Sequence, residues 1–133
     1  MFLLTDVTVA PQECTDTVTF TFTASPGGSP KFVIEPASPP FAQSGSGEAF
    51  TVPGTAFLRV RFQPAWIADP KTGGVTYAGP HRIEPTGTVV TRGVVLYDAF
   101  EGVVGWIVGL DGTGRYKVTS SDSPPSVTIT VGR

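Results

Sequence analysis

The sequence predicts an all-β fold: a single β-sandwich over residues 1–133, built from about eight to ten short, mostly antiparallel strands, with at most one short helix near residues 65–69. Three observations carry that reading. The 16 Gly and 13 Pro among 133 residues are nearly twice the combined share of an average globular chain, too dense a punctuation for long helices. The 17 Val and 18 Thr against five Leu and one Met favour pleated strands over helices. Finally, apolar residues recur with period two between turn clusters at short intervals, the pattern of sandwiches and barrels.

The elements follow in order. Phe2 to Val9 reads as an opening strand, and Val18, Phe20 and Phe22 alternate with Thr17, Thr19, Thr21 and Thr23 in the next, one face buried and one wet. Lys31 to Glu35 and Ala49 to Val52 are shorter candidates. Phe57 to Phe62 turns Leu58, Val60 and Phe62 inward and places Arg59 and Arg61 together on the other face. Gln63 to Pro80 lacks strand character, holds Trp66, Ile67 and Tyr77, and has room for a short helix at Ala65 to Asp69; a loop of this length is a candidate for function. Thr88 to Tyr97 and Val103 to Leu110 are apolar on both faces, so they belong in the middle of a sheet. Gly93 marks a bulge, and Gly105 and Gly109 admit a neighbouring ring or backbone. Tyr116 to Thr119 and Val127 to Val131 complete the set. The turns between them are Ser25-Pro26-Gly27-Gly28-Ser29-Pro30, Ser38-Pro39-Pro40, Ser44-Gly45-Ser46-Gly47, Asp111-Gly112-Thr113-Gly114 and Ser123-Pro124-Pro125, the fourth read as a hairpin.

Chemistry is narrowed by what the chain lacks. Nine Lys and Arg against eleven Asp and Glu give a formal charge of −2, and the cations are scattered along the sequence, which argues against nucleic-acid binding. One cysteine, Cys14, and one histidine, His81, cannot supply the usual ligands of a zinc site, and a hydrolytic triad would have to run through His81 in a turn. Neither a metal nor a cofactor is expected. The closest carboxylate pair, Asp98 and Glu101, falls in a connector of about five residues and reads as a turn capped by Asp98 rather than as an acid–base pair. Cys14 has no basic neighbour to activate it. The Thr17 to Thr23 face would align hydroxyls and methyls that could order water, but no other strand is read as extending it, so it is taken as a plain solvent face. Aromatic residues in loops, Phe41, Trp66 and Tyr77, are the better ligand signal.

Met1-Phe2-Leu3-Leu4 is too short for the apolar core of a secretory signal, and no stretch is long and apolar enough to span a membrane. The opening strand is consistent with an excised domain.

The order of segments in the second half resembles a known family. Gly54-x-Ala56-x-Leu58-x-Val60, Tyr77-x-Gly79-Pro80-x-Arg82, Val94 to Tyr97, Phe100-Glu101-Gly102 with Trp106-x-x-Gly109-Leu110, and Pro124-Pro125 before an alternating strand together look like the AMIN-like domain of bacterial cell-envelope proteins and lipoproteins, mainly actinobacterial. The likeness runs from Leu4 to Val131. It departs where the family's Phe-Asp-Arg is Thr15-Asp16-Thr17 and its Pro-Arg-Leu is Pro125-Ser126-Val127, so both arginines are absent. The resemblance implies a β-sandwich in an exported setting that acts as a non-catalytic targeting module, with peptidoglycan or a wall glycan as the expected partner and another envelope protein as the alternative. The candidate ligand-binding residues are Trp66, Tyr77, Arg82, Asp98 and Glu101.

Overall fold

Alternation and turns resolve into eleven strands and no helix in a computed structural model that describes residues 1–24, 28 and 30–133. In chain order these are β1 (Phe2–Pro11), β2 (Thr15–Ala24), β3 (Phe32–Ala37), β4 (Phe41–Ala42), β5 (Ala49–Phe50) and β6 (Ala56–Phe62). There follow β7 (Arg82–Ile83), β8 (Thr91–Phe100), β9 (Val103–Leu110), β10 (Arg115–Asp122) and β11 (Pro125–Gly132). The turn read at Ser25 to Pro30 falls largely outside the described residues.

The strands form a four-stranded sheet, β1-β2-β11-β10, and a five-stranded sheet, β3-β6-β9-β8-β7, with β4 and β5 as a separate hairpin. Every pairing between them is antiparallel. β2 therefore runs between β1 and β11, with Phe2 opposite Ala24 and Gly132 opposite Thr15. The two sheets face each other across one core, in which Phe20, Phe22, Val18, Ile129 and Val131 of the first meet Phe62, Val60, Trp106, Val108 and Val94 of the second. Aromatic rings dominate its centre: Phe62 lies 5.1 Å from Phe20 and 4.9 Å from Phe22, and Trp106 lies 5.9 Å from Phe20. Each such pair adds about 0.5–1.5 kcal/mol beyond burial. In β1 a register shift between Leu4 and Asp6 flips the alternation, so that Leu4 and Val7, three apart, both face inward.

β9 is buried along its whole length, as expected of a strand apolar on both faces. Val104, Trp106, Val108 and Leu110 enter the main core, while Ile107 joins Phe41, Val52 and Val95 in a second cluster on the outer side of the five-stranded sheet. The β4–β5 hairpin and the segment around Val52-Pro53 form this third layer. Its approach depends on glycine. A Cβ at Gly109 would collide with the Pro53 carbonyl oxygen and meet Val52 Cγ1 at 2.7 Å, and one at Gly93 would meet Pro53 Cδ at 3.0 Å. At Gly105 the occupant is the Tyr97 ring, 2.6 Å from the position of a Cβ.

Several expectations are corrected. No helix forms at Ala65 to Asp69, because the Trp66 N–H donates to the Phe2 carbonyl and the Trp66 carbonyl accepts from Leu4 N–H, making a parallel bridge to β1. The Asp111 to Gly114 turn does not close a hairpin: β9 pairs with β6 and β8 while β10 pairs with β11, so this turn carries the chain from one sheet to the other. The β8–β9 connector is Glu101-Gly102 alone, between paired Phe100 and Val103, with φ of 53° and 78° as a type I′ turn requires. The β8 bulges fall at Arg92, beside Gly93, and at Tyr97. The threonine face is also wider than expected. Thr8, Thr19, Thr128 and Thr119 stand in one row across all four strands, with Thr19 and Thr128 hydroxyls 3.2 Å apart; strand order put them there, and periodicity along one strand does not encode it.

Candidate functional site

The third layer creates the site. The β4–β5 hairpin is tied to β8 beside the bulge at Tyr97: Gln43 Nε2 donates to the Leu96 carbonyl at 3.1 Å and Ser44 N–H to the Tyr97 carbonyl at 2.9 Å. On the other flank, Arg82 of edge strand β7 donates from Nη1 to the Thr51 carbonyl at 2.7 Å and from Nε to Glu84 at 2.6 Å. Between hairpin, β7 and the end of β8 lies a cavity of about 530 Å³. Its aromatic lining is Phe50, Tyr97 and Phe100, and its polar lining includes Gln43, Glu48, His81, Arg82 and Asp98.

Phe100 is 63% exposed, a large apolar surface left facing solvent. Tyr97 lies over Gly105 with the Arg59 guanidinium 5.6 Å from its ring centroid, a cation–π contact. Burial pushes the Tyr97 phenol upward; Arg59 and Arg61 pull it down and Asp98 and Glu35 push it up, for a net rise. Its hydroxyl therefore stays a hydrogen-bond donor at neutral pH. Asp98 accepts the Phe100 N–H at 3.2 Å, so it does cap the approach to the turn while lining the cavity.

Of the five residues singled out in the sequence, Arg82 and Asp98 come together here. Glu101 is exposed at the β8–β9 turn, outside this cavity. Trp66 is half-buried and lies against Gly102 of that same turn, 3.3 Å from where its Cβ would be. Tyr77 offers no open ring face: it is 3% exposed, packs edge-on to Trp106 at 5.7 Å, stacks on His81 and donates its hydroxyl to the Pro80 carbonyl at 2.6 Å. Phe41 is likewise buried, between Phe50 and Phe57. The long loop thus plugs the core with Ala65 and Tyr77. Sequence reasoning missed Phe50, Tyr97 and Phe100 as ligand candidates, since strand aromatics read as core. The one available signal was Tyr97, adjacent to Asp98 at the end of an apolar run.

A family model described as AMIN-like domain matches residues 2–133. The chain belongs to the AMIN-like domain family. No curated protein and no solved structure matches it. Membership associates this AMIN-like domain with the cell envelope. Among its described residues no helix is long and apolar enough to cross a membrane, and no three His, Cys, Asp or Glu side chains are grouped to hold a metal ion.

The family's Phe-Asp-Arg position also acquires a physical role in this AMIN-like domain. Asp16, 0% exposed, accepts four hydrogen bonds at 2.8 Å: Val89 N–H on Oδ1, and Val90 N–H, Thr91 N–H and the Thr91 hydroxyl on Oδ2. Burial pushes its carboxyl up, but the hydrogen bonds from Val89, Val90 and Thr91 outweigh it and hold it below the ordinary value. It joins β2 to the start of β8 across the two sheets.

Proposed function

We propose that this AMIN-like domain is a non-catalytic, extracytoplasmic binding module that associates with peptidoglycan or another wall glycan through the cavity bounded by Phe50, Arg82, Tyr97, Asp98 and Phe100. The observation that carries the reading is the pairing of three aromatic side chains, one of them exposed, with hydrogen-bonding groups of both signs around one opening. Sugars present apolar ring faces and equatorial hydroxyls, and such a lining offers a surface for each. Envelope association of the family supports the same partner class.

The test is co-sedimentation of the purified chain with sacculi stripped by acid of phosphodiester-linked polymers. The expected result is enrichment in the pellet at moderate salt, weakened about tenfold by Phe100→Ala, as for an aromatic hot spot. Recovery of the whole protein in the supernatant would overturn the glycan reading and favour a protein partner.

A further inference from the structure

Cations that are scattered in the sequence gather near the start of β8, whereas the aromatic cavity lies at its end. At the end of the sandwich where Gly132 pairs with Thr15 there is a second cavity of about 890 Å³, lined by Arg92, Arg115, Lys117 and Arg133, with Glu13 as its carboxylate. Arg92 is committed to Asp111 at 2.7 Å. Arg115, Lys117 and Arg133 have no ion-pair partner among the described residues. In β10, Arg115 and Lys117 are two apart and so project from the same face, beside Gly132 and Thr130 of β11.

We propose that this cavity binds a phosphate group carried by a small polyol or sugar. Its position is distinct from the aromatic cavity, and the inference does not depend on the glycan reading. Arg115 spends one Nη1 donor on the Arg133 backbone oxygen, at a long 3.5 Å. A carboxylate is matched by a single guanidinium fork, whereas two arginines and a lysine outside any ion pair suit a group with three or more acceptor oxygens and up to two charges. Thr15 and Thr130 line the same space and carry hydroxyls that can complete the shell, while the Thr88 hydroxyl is spent on the Thr91 carbonyl at 2.6 Å. The walls are fixed before any ligand arrives: Asp16, next to Thr15, holds Val89, Val90 and Thr91, and Arg92 donates to the Thr88 hydroxyl and the Thr91 carbonyl at 3.2 Å. Such preorganisation lowers the cost of binding. The net charge of −2 disfavours a long polyanion such as a nucleic acid, whose distant charges would meet the acidic remainder of the surface.

The experiment is an amide NMR titration of the full chain with glycerol 3-phosphate, with sodium acetate and a single-stranded oligonucleotide as parallel probes and phosphatidylglycerol vesicles as a further arm. Saturable shifts at Cys14, Thr15, Thr88, Val89, Lys117 and Gly132 with glycerol phosphate are expected. Arg115→Ala with Lys117→Ala should weaken the affinity at least tenfold, and Lys71→Ala should leave it within twofold. Lys117→Gln alone, a change at one exposed edge-strand position, should weaken it about threefold if the double variant does not fold. Non-saturating shifts, acetate binding as tightly as glycerol phosphate, tighter binding of the oligonucleotide, equal weakening by Lys71→Ala, or binding to vesicles alone would each overturn the proposal.

Discussion

Replacing Asp16 with alanine should cost about 3–5 kcal/mol of folding stability. The substitution withdraws the acceptor from three backbone N–H groups and one hydroxyl. The donors of Val90 and Thr91 are buried and lose their partner outright, at about 1–3 kcal/mol each, while the Val89 N–H is only partly buried and can turn to water. Asp16→Asn keeps the shape but must aim an amide NH2 at one set of donors, for a loss of about 2–3 kcal/mol. In a chain of this size the alanine variant should melt roughly 10–20 °C lower. Urea unfolding followed by tryptophan fluorescence measures the difference. The pH dependence adds a second test. The folded carboxyl lies below its ordinary value of 3.8, so its contribution is fully present above the unfolded pKa and is lost as pH falls through the folded one. The gap between wild type and Asp16→Asn should therefore be the same at pH 7 and pH 5 and close only below about 3.8. A loss under about 1 kcal/mol for Asp16→Ala with an unchanged urea slope would refute the reasoning, since it would mean the loop finds other acceptors at no cost.

Gly109→Ala should destabilise by about 1–3 kcal/mol or more through overpacking, and by more than Gly105→Ala, because the first meets the Pro53 backbone and the second the end of a tyrosine ring; equal urea midpoints for the two would contradict the three-layer packing. In Trp66→Phe the remaining emission should be strongly blue-shifted, since Trp106 is 0% exposed and its Nε1 has no hydrogen-bond partner among the described residues; emission near that of free tryptophan would count against this core. Tyr77 and Tyr97 are held above the ordinary phenol value of 10.0, chiefly by burial, so stability should fall as pH rises beyond about 10, and a flat profile there would show that neither stays protonated. Cys14 is exposed and should react with a maleimide in the native state as fast as in urea, to one label per chain.

Much of this architecture was legible because local pattern and burial coincide. The alternation of Val18, Phe20 and Phe22, of Leu58, Val60 and Phe62, and of Val127, Ile129 and Val131 appears intact in the core. The glycines of β8 and β9 were readable too, because a glycine in a strand apolar on both faces has no turn to serve. What escaped depends on contacts distant in sequence. The two-residue strands β4 and β7 are defined by pairing partners, not by their own residues, and of the candidate strand Ala49 to Val52 only Ala49–Phe50 finds a partner. Ala65 to Asp69 carries apolar residues compatible with a helix, yet its backbone is taken by β1. Tyr77 and Phe100 show how little a residue's type says about its fate: the loop tyrosine is buried and the strand phenylalanine is exposed. The cavity residues Arg82 and Asp98 were identified individually, but their meeting across β7 and β8 is a product of sheet order.

The placement of β2 between β1 and β11 bears on how this domain carries tension. β1 and β11 run in the same direction on either side of β2, so the chain enters at the Ala24 end and leaves at the Thr15 end. A pull on both ends drags β1 and β11 in opposite directions along β2. Inter-strand hydrogen bonds lie perpendicular to that axis, so the ladders are loaded in shear and must yield together instead of unzipping one bond at a time. Pulled from its two ends, the sandwich would behave as a stiff link.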